Sequence, residues 1–335
     1  MIWNNVELFN TVRIEESERG VRLYRFPEAA QASFGITGPD YAPGVGRMTT
    51  GCEMRFVAEG ADITLTSVEG GDGTVELWRG DFLCRVERLV AGVPTVIKLR
   101  KEYRLDKCEL DVYDGRFSPD VWRVIFDHDI AVEINSFEPI GEVRAPGTCE
   151  IPKKKIIAYG SSITHSAGAG VYTNSYIYGT ARRLGADVMC KGMGGSCMIQ
   201  SELADYIAEE KWDIAILELG INMVDNTPVK EFERRVRYML ERLLPLGKPI
   251  VLISNYTSHH CLPDTPYHEV EESYVLTLES LYREYAADNL FYIRGREVVG
   301  KNYDWLLSDV IHPSPMGHFE MGRAIAEKIK EFNII

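Results

Sequence analysis

Five short apolar segments in the second half of this 335-residue chain constrain its fold most strongly. They are the segments at 155–159, 186–190, 213–219, 249–254 and 290–293. Runs of this length are typical of parallel strands buried on both faces. Helical patterns separate them, so we expect a flavodoxin-like, three-layer α/β/α domain built on a five-stranded parallel sheet.

The helical patterns are clearest at 228–243, 270–287 and 315–332. In the first, apolar side chains recur on one face, Thr227 is the expected N-cap, and Pro228 is the expected first helical residue. In the last, we expect four apolar side chains to be buried. They are Phe319, Ile325, Ile329 and Phe332.

Residues 1–148 show a different pattern, the period-two alternation of half-buried strands. It is clearest at 61–66, 75–78 and 130–134, and the glycine-rich segment 70–73 predicts a turn between the first two. No long helical pattern interrupts these strands. The region therefore predicts an all-β sandwich, resembling a jelly roll.

The change of pattern near Ala145-Pro146-Gly147-Thr148 predicts a domain boundary. We expect a β-sandwich domain at 1–148 and an α/β domain at 149–335. Trp78, Trp122 and Tyr113 in the first domain are candidate platforms for stacking on sugar rings. Aromatic residues in strands more often fill a core or an edge, which is the favoured interpretation.

The composition excludes several classes of partner. A formal charge of −13 and a pI near 5.1 argue against nucleic acid or an anionic membrane, because phosphate groups would be repelled. No segment has the roughly 18 apolar residues of a membrane-spanning helix, and the amino terminus lacks the pattern of a signal peptide. The seven scattered cysteines indicate reduced thiols. These features favour a soluble, cytoplasmic protein.

Polar or glycine-rich segments follow four of the five predicted strands, at 160–162, 192–196, 220–222 and 308–313. Each alone has an ordinary explanation, such as a helix cap, a tight turn or a surface histidine. The carboxyl ends of parallel strands meet at one edge of a sheet, so these segments are expected to converge. Together they supply a hydroxyl, an imidazole, a carboxylate and oxyanion donors, which is what acyl transfer requires.

The ordered blocks GSSIT, a glycine turn, GIN and DVIHP resemble those of the SGNH (GDSL-type) hydrolases over residues 151–332. Combined with an amino-terminal β-sandwich, the chain resembles two-domain carbohydrate esterases and some acyltransferases of that superfamily. The resemblance implies Ser162 as nucleophile, His312 as base and Asp309 as the carboxylate that orients it. It also implies an oxyanion hole formed by Ser162, Gly195 and Asn222, with neither a metal nor an organic cofactor.

Three positions depart from the family pattern. Ser161 stands where an Asp usually precedes the nucleophile, Met223 where an Asp often follows the conserved Asn, and Cys190 where an Asn is common. Neither Ser161 nor Met223 carries a proton transfer, so the predicted catalytic residues are unaffected. The hydrogen bonds around them are expected to differ.

Two other patterns in the sequence suggest different kinds of site, a nucleotide-binding loop and a zinc site. The glycines at 168 and 170 fit neither GxGxxG nor a P-loop. His259, His260, Cys261 and His268 suggest a zinc site, but consecutive His side chains in an extended segment point to opposite sides, so no metal site is predicted. We expect His259 and His260 instead to face the substrate. His165 is a further candidate for substrate contact, although a polar residue at a helix start is the favoured interpretation there.

The favoured function is a serine esterase that hydrolyses a short acyl ester, such as acetyl, on a carbohydrate. One alternative is acyl transfer to an acceptor other than water, which would use the same acyl-enzyme. Another is a non-catalytic glycan-binding protein, which the presence of all three catalytic residue types disfavours. The sequence leaves open whether identical chains associate.

Overall fold

The computed structural model describes residues 1–101, 116–260, 262–300 and 303–335. Cys108, Tyr113 and Cys261 lie outside the described residues. The chain divides into two compact units, of which one comprises Met1–Pro27, Gly44–Lys154 and Gly185–Met189, and the other Glu28–Pro43, Lys155–Leu184 and Cys190–Ile335. The domain boundary between residues 148 and 149 stays a prediction.

Eleven strands precede residue 148 in the described part of the chain. They are β1 (Ile2–Trp3), β2 (Val6–Phe9), β3 (Arg13–Ser17), β4 (Gly20–Tyr24), β5 (Glu53–Val57), β6 (Gly60–Glu69), β7 (Gly73–Arg79), β8 (Phe82–Leu89), β9 (Thr95–Arg100), β10 (Val121–Phe126) and β11 (Ala131–Ile140). They form two antiparallel sheets, in the orders β1-β2-β5-β10-β7-β8 and β3-β4-β11-β6-β9. The predicted β-rich region is confirmed.

Apolar side chains from both sheets form one buried core, which includes Met54 and Phe56 from one sheet and Ile63 and Leu65 from the other. Trp122 belongs to this core, and its indole N–H donates a hydrogen bond to the carbonyl of Ala58. Burying both sheet faces against each other is the main source of stability in such a sandwich. For Trp122, the structure therefore supports a core role over a sugar platform.

The predicted glycine turn connects two different sheets. Gly70 and Gly71 have φ angles of +91° and +101° between β6 and β7. Only glycine adopts such angles without strain. Because β6 and β7 lie in different sheets, the turn carries the chain from one sheet to the other and does not close a hairpin.

Two helices that the sequence analysis did not predict, α1 (Glu28–Thr37) and α2 (Ala42–Arg47), lie between strands of the first 148 residues. Both helices are short, and α2 contains a proline and two glycines, so neither has a sustained apolar period. In α1, Ala30, Ser33 and Phe34 are the buried residues.

The second half of the chain forms the predicted five-stranded parallel sheet. Its strands are β12 (Lys154–Gly160), β13 (Ala186–Gly192), β14 (Ile214–Glu218), β15 (Ile250–Ile253) and β16 (Leu290–Ile293), in the order β13-β12-β14-β15-β16. Their apolar side chains are mostly buried, as expected for strands covered on both faces.

Six α-helices accompany this sheet within the described residues. They are α3 (Tyr176–Arg183), α4 (Ser201–Glu209), α5 (Val229–Leu243), α6 (His268–Tyr285), α7 (Arg296–Val299) and α8 (Pro315–Glu331). Pro228 is the N-cap of α5, with an extended ψ of 145°, so the helix begins one residue later than expected and Thr227 is not its cap. Within the described residues, no helix combines the length and the apolar composition needed to cross a membrane.

The predicted buried face of α8 is partly wrong. Ile325 and Ile329 are buried, and Phe332 is half-buried and stacks on Phe291. Phe319 is 52% exposed, with the guanidinium of Arg183 4.6 Å from its ring centre. A cation over its face covers part of the ring without removing it from water.

Candidate active site

Ser162 lies in a turn immediately after β12. Residues 161–170 form turns and bends, and the first α-helix beyond them, α3, begins only at Tyr176. The N-cap of α3 is Ser175, whose hydroxyl accepts the N–H of Tyr178. The serine pair is therefore not followed directly by an α-helix, and the explanation of Ser161 and Ser162 as a helix cap does not hold.

Ser162, His312 and Asp309 form a continuous series of hydrogen bonds. The Ser162 hydroxyl lies 2.8 Å from Nε2 of His312, and Nδ1 of His312 lies 2.7 Å from Oδ2 of Asp309. The other carboxylate oxygen of Asp309 accepts the N–H groups of Ile311 and His312, both at 2.7 Å. Partial burial opposes ionisation, but these hydrogen bonds prevail and lower the pKa of Asp309 below its usual range.

The loop that carries His312 is closed on itself. The N–H of Ser308 donates to the carbonyl of His312 at 2.8 Å, and Leu307 pairs with Pro313 in an isolated bridge. Gly168 packs against this loop with a φ of +85°, and a Cβ there would clash with the Pro313 carbonyl. The glycine pattern at 168 therefore has a structural explanation.

The three groups predicted for the oxyanion hole belong to segments that follow β12, β13 and β14. Within the described residues, the backbone N–H groups of Ser162 and Gly195 make no hydrogen bond and are free to donate. The Asn222 side chain accepts the N–H of Cys197 through Oδ1 at 3.2 Å, which leaves its NH₂ group available. A Cβ on Gly194 would lie 3.9 Å from the Cβ of Ser162, so the glycine turn closely approaches the nucleophile.

Tyr41 also belongs to this site, although nothing in the sequence pointed to it. Its hydroxyl donates a hydrogen bond to the carbonyl of Gly195 at 3.1 Å, and its side chain remains exposed, at 57%. A Cβ on Gly195 would come within 2.5 Å of that hydroxyl. Tyr41 thus places an accessible aromatic ring beside the glycine turn that contains Gly195.

Glu218 is the second residue that sequence reasoning missed. It ends β14 and is completely buried, and its Oε2 accepts hydrogen bonds from the Ser161 N–H, the Ser161 hydroxyl and the Thr164 hydroxyl. Burial raises its pKa to about 7, against the lowering effect of these three donors. The sequence signal that could have identified this residue is a single Glu inside the apolar run 213–219.

Of the three histidines predicted to contact substrate, His165 is 1% exposed and lies beneath Gly194, so the structure does not present it to a ligand. His259 and His260 are only partly buried. The His259 N–H donates to the Val310 carbonyl of the His312 loop, while the His260 side chain lies 3.5 Å from Asp225, just beyond Asn222. Both therefore remain substrate-contact predictions.

One group of potential metal ligands exists among the described residues, and it does not include the histidine pair. His268, Glu271 and Glu272 lie together at the start of α6. Both carboxylates are ion-paired with Arg296, so the guanidinium already compensates their negative charge without a metal ion. His259 instead pairs with Asp304 at 2.6 Å.

A hydroxyl joined through an imidazole to a carboxylate, at the carboxyl edge of an α/β/α sheet, is the arrangement of an SGNH hydrolase. Residues 153–330 match the GDSL-like Lipase/Acylhydrolase family. Because this match spans more than half of the chain, the protein belongs to that family.

Solved structures show the same fold across nearly the whole chain. A salicylyl-acyltransferase, SsfX3, from a tetracycline biosynthetic pathway aligns with a TM-score of 0.80 and 16% identity, covering 99% of this chain and 96% of that chain. A family two carbohydrate esterase from Clostridium thermocellum, solved with cellohexaose, aligns with a TM-score of 0.65 and 13% identity, covering 98% of this chain and 100% of that chain. The acetyl xylan esterase Est2A from the rumen bacterium Butyrivibrio proteoclasticus aligns with a TM-score of 0.59 and 12% identity, covering 100% of this chain and 98% of that chain. A search among curated proteins gives no match.

Proposed function

We propose that this protein is a serine esterase that removes a short acyl group, most simply acetyl, from a carbohydrate. The observation that carries the proposal is the hydrogen-bonded series from Ser162 through His312 to Asp309, with distances of 2.8 and 2.7 Å. Such a series lets a neutral serine act as a nucleophile at neutral pH, because the imidazole accepts its proton as the new bond forms.

In the proposed mechanism, Ser162 Oγ attacks the ester carbonyl while His312 Nε2 takes the hydroxyl proton. Asp309 accepts a hydrogen bond from Nδ1–H and stabilises the imidazolium. The tetrahedral intermediate then expels the sugar alkoxide, which takes the proton from Nε2 and leaves an acyl-enzyme. Water, deprotonated by the same imidazole, attacks this ester, and departing Ser162 recovers the proton as the free acid is released.

The negative charge of each tetrahedral intermediate would be held by the N–H groups of Ser162 and Gly195 and by the Asn222 amide. Donors that are fixed before the charge develops need no reorganisation, and the hydrogen bond from the Cys197 N–H to Oδ1 orients the Asn222 amide in this way. One donor of this kind is worth about 3 kcal/mol in comparable enzymes.

The exposure of the proposed base and its carboxylate favours hydrolysis over acyl transfer. The side chains of His312 and Asp309 are 27% and 51% exposed, so water can reach the base that would activate it. An acyltransferase needs the opposite, a site that keeps water from the acyl-enzyme.

The exposed ring of Tyr41 suits stacking on a sugar, which agrees with the fold similarity to carbohydrate esterases.

The test is ester hydrolysis on p-nitrophenyl acetate and on acetylated xylo- and cello-oligosaccharides, with wild type beside Ser162→Ala. We expect the substitution to lower kcat by at least about a thousandfold. Ser201→Ala, at an exposed serine in α4, is the matched control and should retain full activity. Wild type that is inactive on every ester would refute the proposal.

The same samples separate the alternatives. Adding a high concentration of an acceptor alcohol and measuring ester products by mass spectrometry detects acyl transfer, which should stay minor beside free acid. Calorimetric titration with deacetylated oligosaccharides detects a binding protein. Tight sugar binding without turnover would favour the non-catalytic alternative.

A further inference from the structure

We infer that Glu218 is a positioning residue that, as a carboxylate, fixes the turn carrying Ser162, and that Ser161 and Glu218 function as a pair. This assignment rests on the proposed esterase function. It goes beyond that function because Glu218 touches neither Ser162 nor His312 through any hydrogen bond among the described residues.

Three donors converge on one oxygen of Glu218. The Ser161 N–H and the Ser161 hydroxyl lie 2.7 Å from Oε2, and the Thr164 hydroxyl lies 3.0 Å from it. These donors flank Ser162 on both sides along the chain. The carboxylate therefore holds the two ends of the short segment whose centre presents the nucleophile.

The carboxylate is packed directly under this segment. A Cβ on Gly160 would lie 2.5 Å from Oε2 of Glu218, so only glycine lets β12 end this close to the acid. All of these groups are buried, with Ser161 at 1% and Thr164 and Glu218 at 0% exposure. A buried turn held by three hydrogen bonds has little freedom to move.

The groups facing Glu218 supply no opposite charge. The Tyr176 hydroxyl is hydrogen-bonded to the Thr164 hydroxyl, and Tyr256 packs edge-on against Tyr176. The Cys197 thiol lies 4.0 Å from the backbone carbonyl of Glu218. No Lys or Arg of the described residues forms an ion pair with it. The second carboxylate oxygen of Glu218, Oε1, is buried and has no hydrogen-bond partner among the described residues.

The ionised form is the one that suits the turn. A carboxylate oxygen can accept all three donors, whereas a carboxylic acid accepts them less strongly and gains a hydroxyl without an acceptor at Oε1. Because burial raises the pKa of Glu218 to about 7, the turn passes between these two states near neutral pH. Protonation would loosen the segment and misplace the Ser162 hydroxyl.

The pairing also accounts for Ser161. The family pattern has an Asp at this position, and an Asp here would bring a second carboxylate against Oε2 of Glu218. Two carboxylates in contact cannot both ionise without a large penalty. Serine donates a hydrogen bond where Asp would repel.

The experiment compares wild type with Glu218→Gln, Ser161→Asp and the double variant Ser161→Asp/Glu218→Gln. The readouts are the rate at which a fluorophosphonate labels Ser162 and the kcat and KM for p-nitrophenyl acetate, between pH 5.5 and 9. Glu279→Gln, at a surface ion pair, is the matched control. Thermal unfolding confirms that each variant is folded.

We expect Glu218→Gln to slow labelling by about tenfold to a hundredfold at pH 8, with KM little changed, since the loss is one of geometry. The labelling rate of this variant should also lose the part of the wild-type pH dependence that Glu218 contributes near pH 7. Ser161→Asp should be slower still, and the double variant should recover at least about tenfold over it, because an amide can donate to the new carboxylate.

Each outcome has a defined meaning. If Glu218→Gln labels at the wild-type rate with the wild-type pH dependence, or if the double variant is no faster than Ser161→Asp, the positioning role is overturned while the esterase proposal stands. If wild type neither labels nor hydrolyses, the esterase proposal fails and the positioning role fails with it. Should Glu218→Gln not fold, Ser161→Ala removes a single donor, and an unchanged labelling rate there overturns the role equally.

Discussion

The stability of this protein should fall as the pH rises through the range in which Glu218 loses its proton. An unfolded glutamate ionises near pH 4.5, while burial raises the pKa of Glu218 in the folded protein to about 7. Between these values the unfolded chain binds fewer protons than the folded one, so the free energy of unfolding decreases with pH. The loss begins near pH 4.5, is complete just above pH 7, and amounts to about 3 kcal/mol.

Glu218→Gln isolates this effect. The variant leaves a buried NH₂ group in the place of Oε1, which has no partner among the described residues, at a cost of about 1–3 kcal/mol. That cost does not depend on pH, because an amide does not titrate. The difference in unfolding free energy between variant and wild type should therefore move in favour of the variant by about 2–3 kcal/mol from pH 5 to pH 8.

The measurement is urea unfolding at several pH values, followed by the helical circular dichroism signal. That signal reports the unit containing Glu218, because the long helices α5, α6 and α8 belong to it. Glu279→Gln should show no pH-dependent change relative to wild type beyond its surface ion pair. A difference between Glu218→Gln and wild type that stays flat from pH 5 to pH 8 would show that burial does not perturb this carboxyl.

Two further substitutions test the loops around the nucleophile. Tyr41→Phe removes the hydrogen bond to the Gly195 carbonyl and should lower kcat/KM for p-nitrophenyl acetate by about threefold to tenfold, the equivalent of one net hydrogen bond; an unchanged value would leave Tyr41 without a role in the oxyanion turn. Gly168→Ala places a Cβ against the Pro313 carbonyl and should lower kcat at least about tenfold, whereas Gly71→Ala, equally strained in φ but with open space around it, should cost stability and leave kcat unchanged. Equal kcat values for the two alanine variants would contradict the role assigned to the close packing.

The sheet and its helices were predictable because each element has its own periodic pattern. Every predicted strand of the second half exists within two residues of its expected ends, and the predicted buried face of α5 is buried in full. The approach of Ser162, His312 and Asp309 was also predictable, because parallel strands bring their carboxyl ends to one edge. Local patterns and a single topological rule were sufficient for both.

Tyr41 could not be found in this way. It lies 154 residues before Gly195, in a segment between two short helices whose sequence has no sustained period. Its role depends on where that segment folds, and no local pattern encodes such a position. The prediction that Phe319 is buried failed for a related reason. Periodicity predicts which side chains share a helix face, but it does not predict how far the layer that covers this face extends.

Two of the three departures from the family pattern make hydrogen bonds within the turn that carries Ser162. Cys190 places its thiol 3.5 Å from the Thr164 carbonyl, Met223 is buried, and Ser161 donates to Glu218. A carboxylate on the neighbouring strand β14 thus accepts hydrogen bonds from the residue preceding Ser162, the position where the family pattern has an Asp. Because Glu218 already supplies a carboxylate beneath this turn, Asp at position 161 alone should be harmful, and it should become tolerable only when the charge of Glu218 is removed.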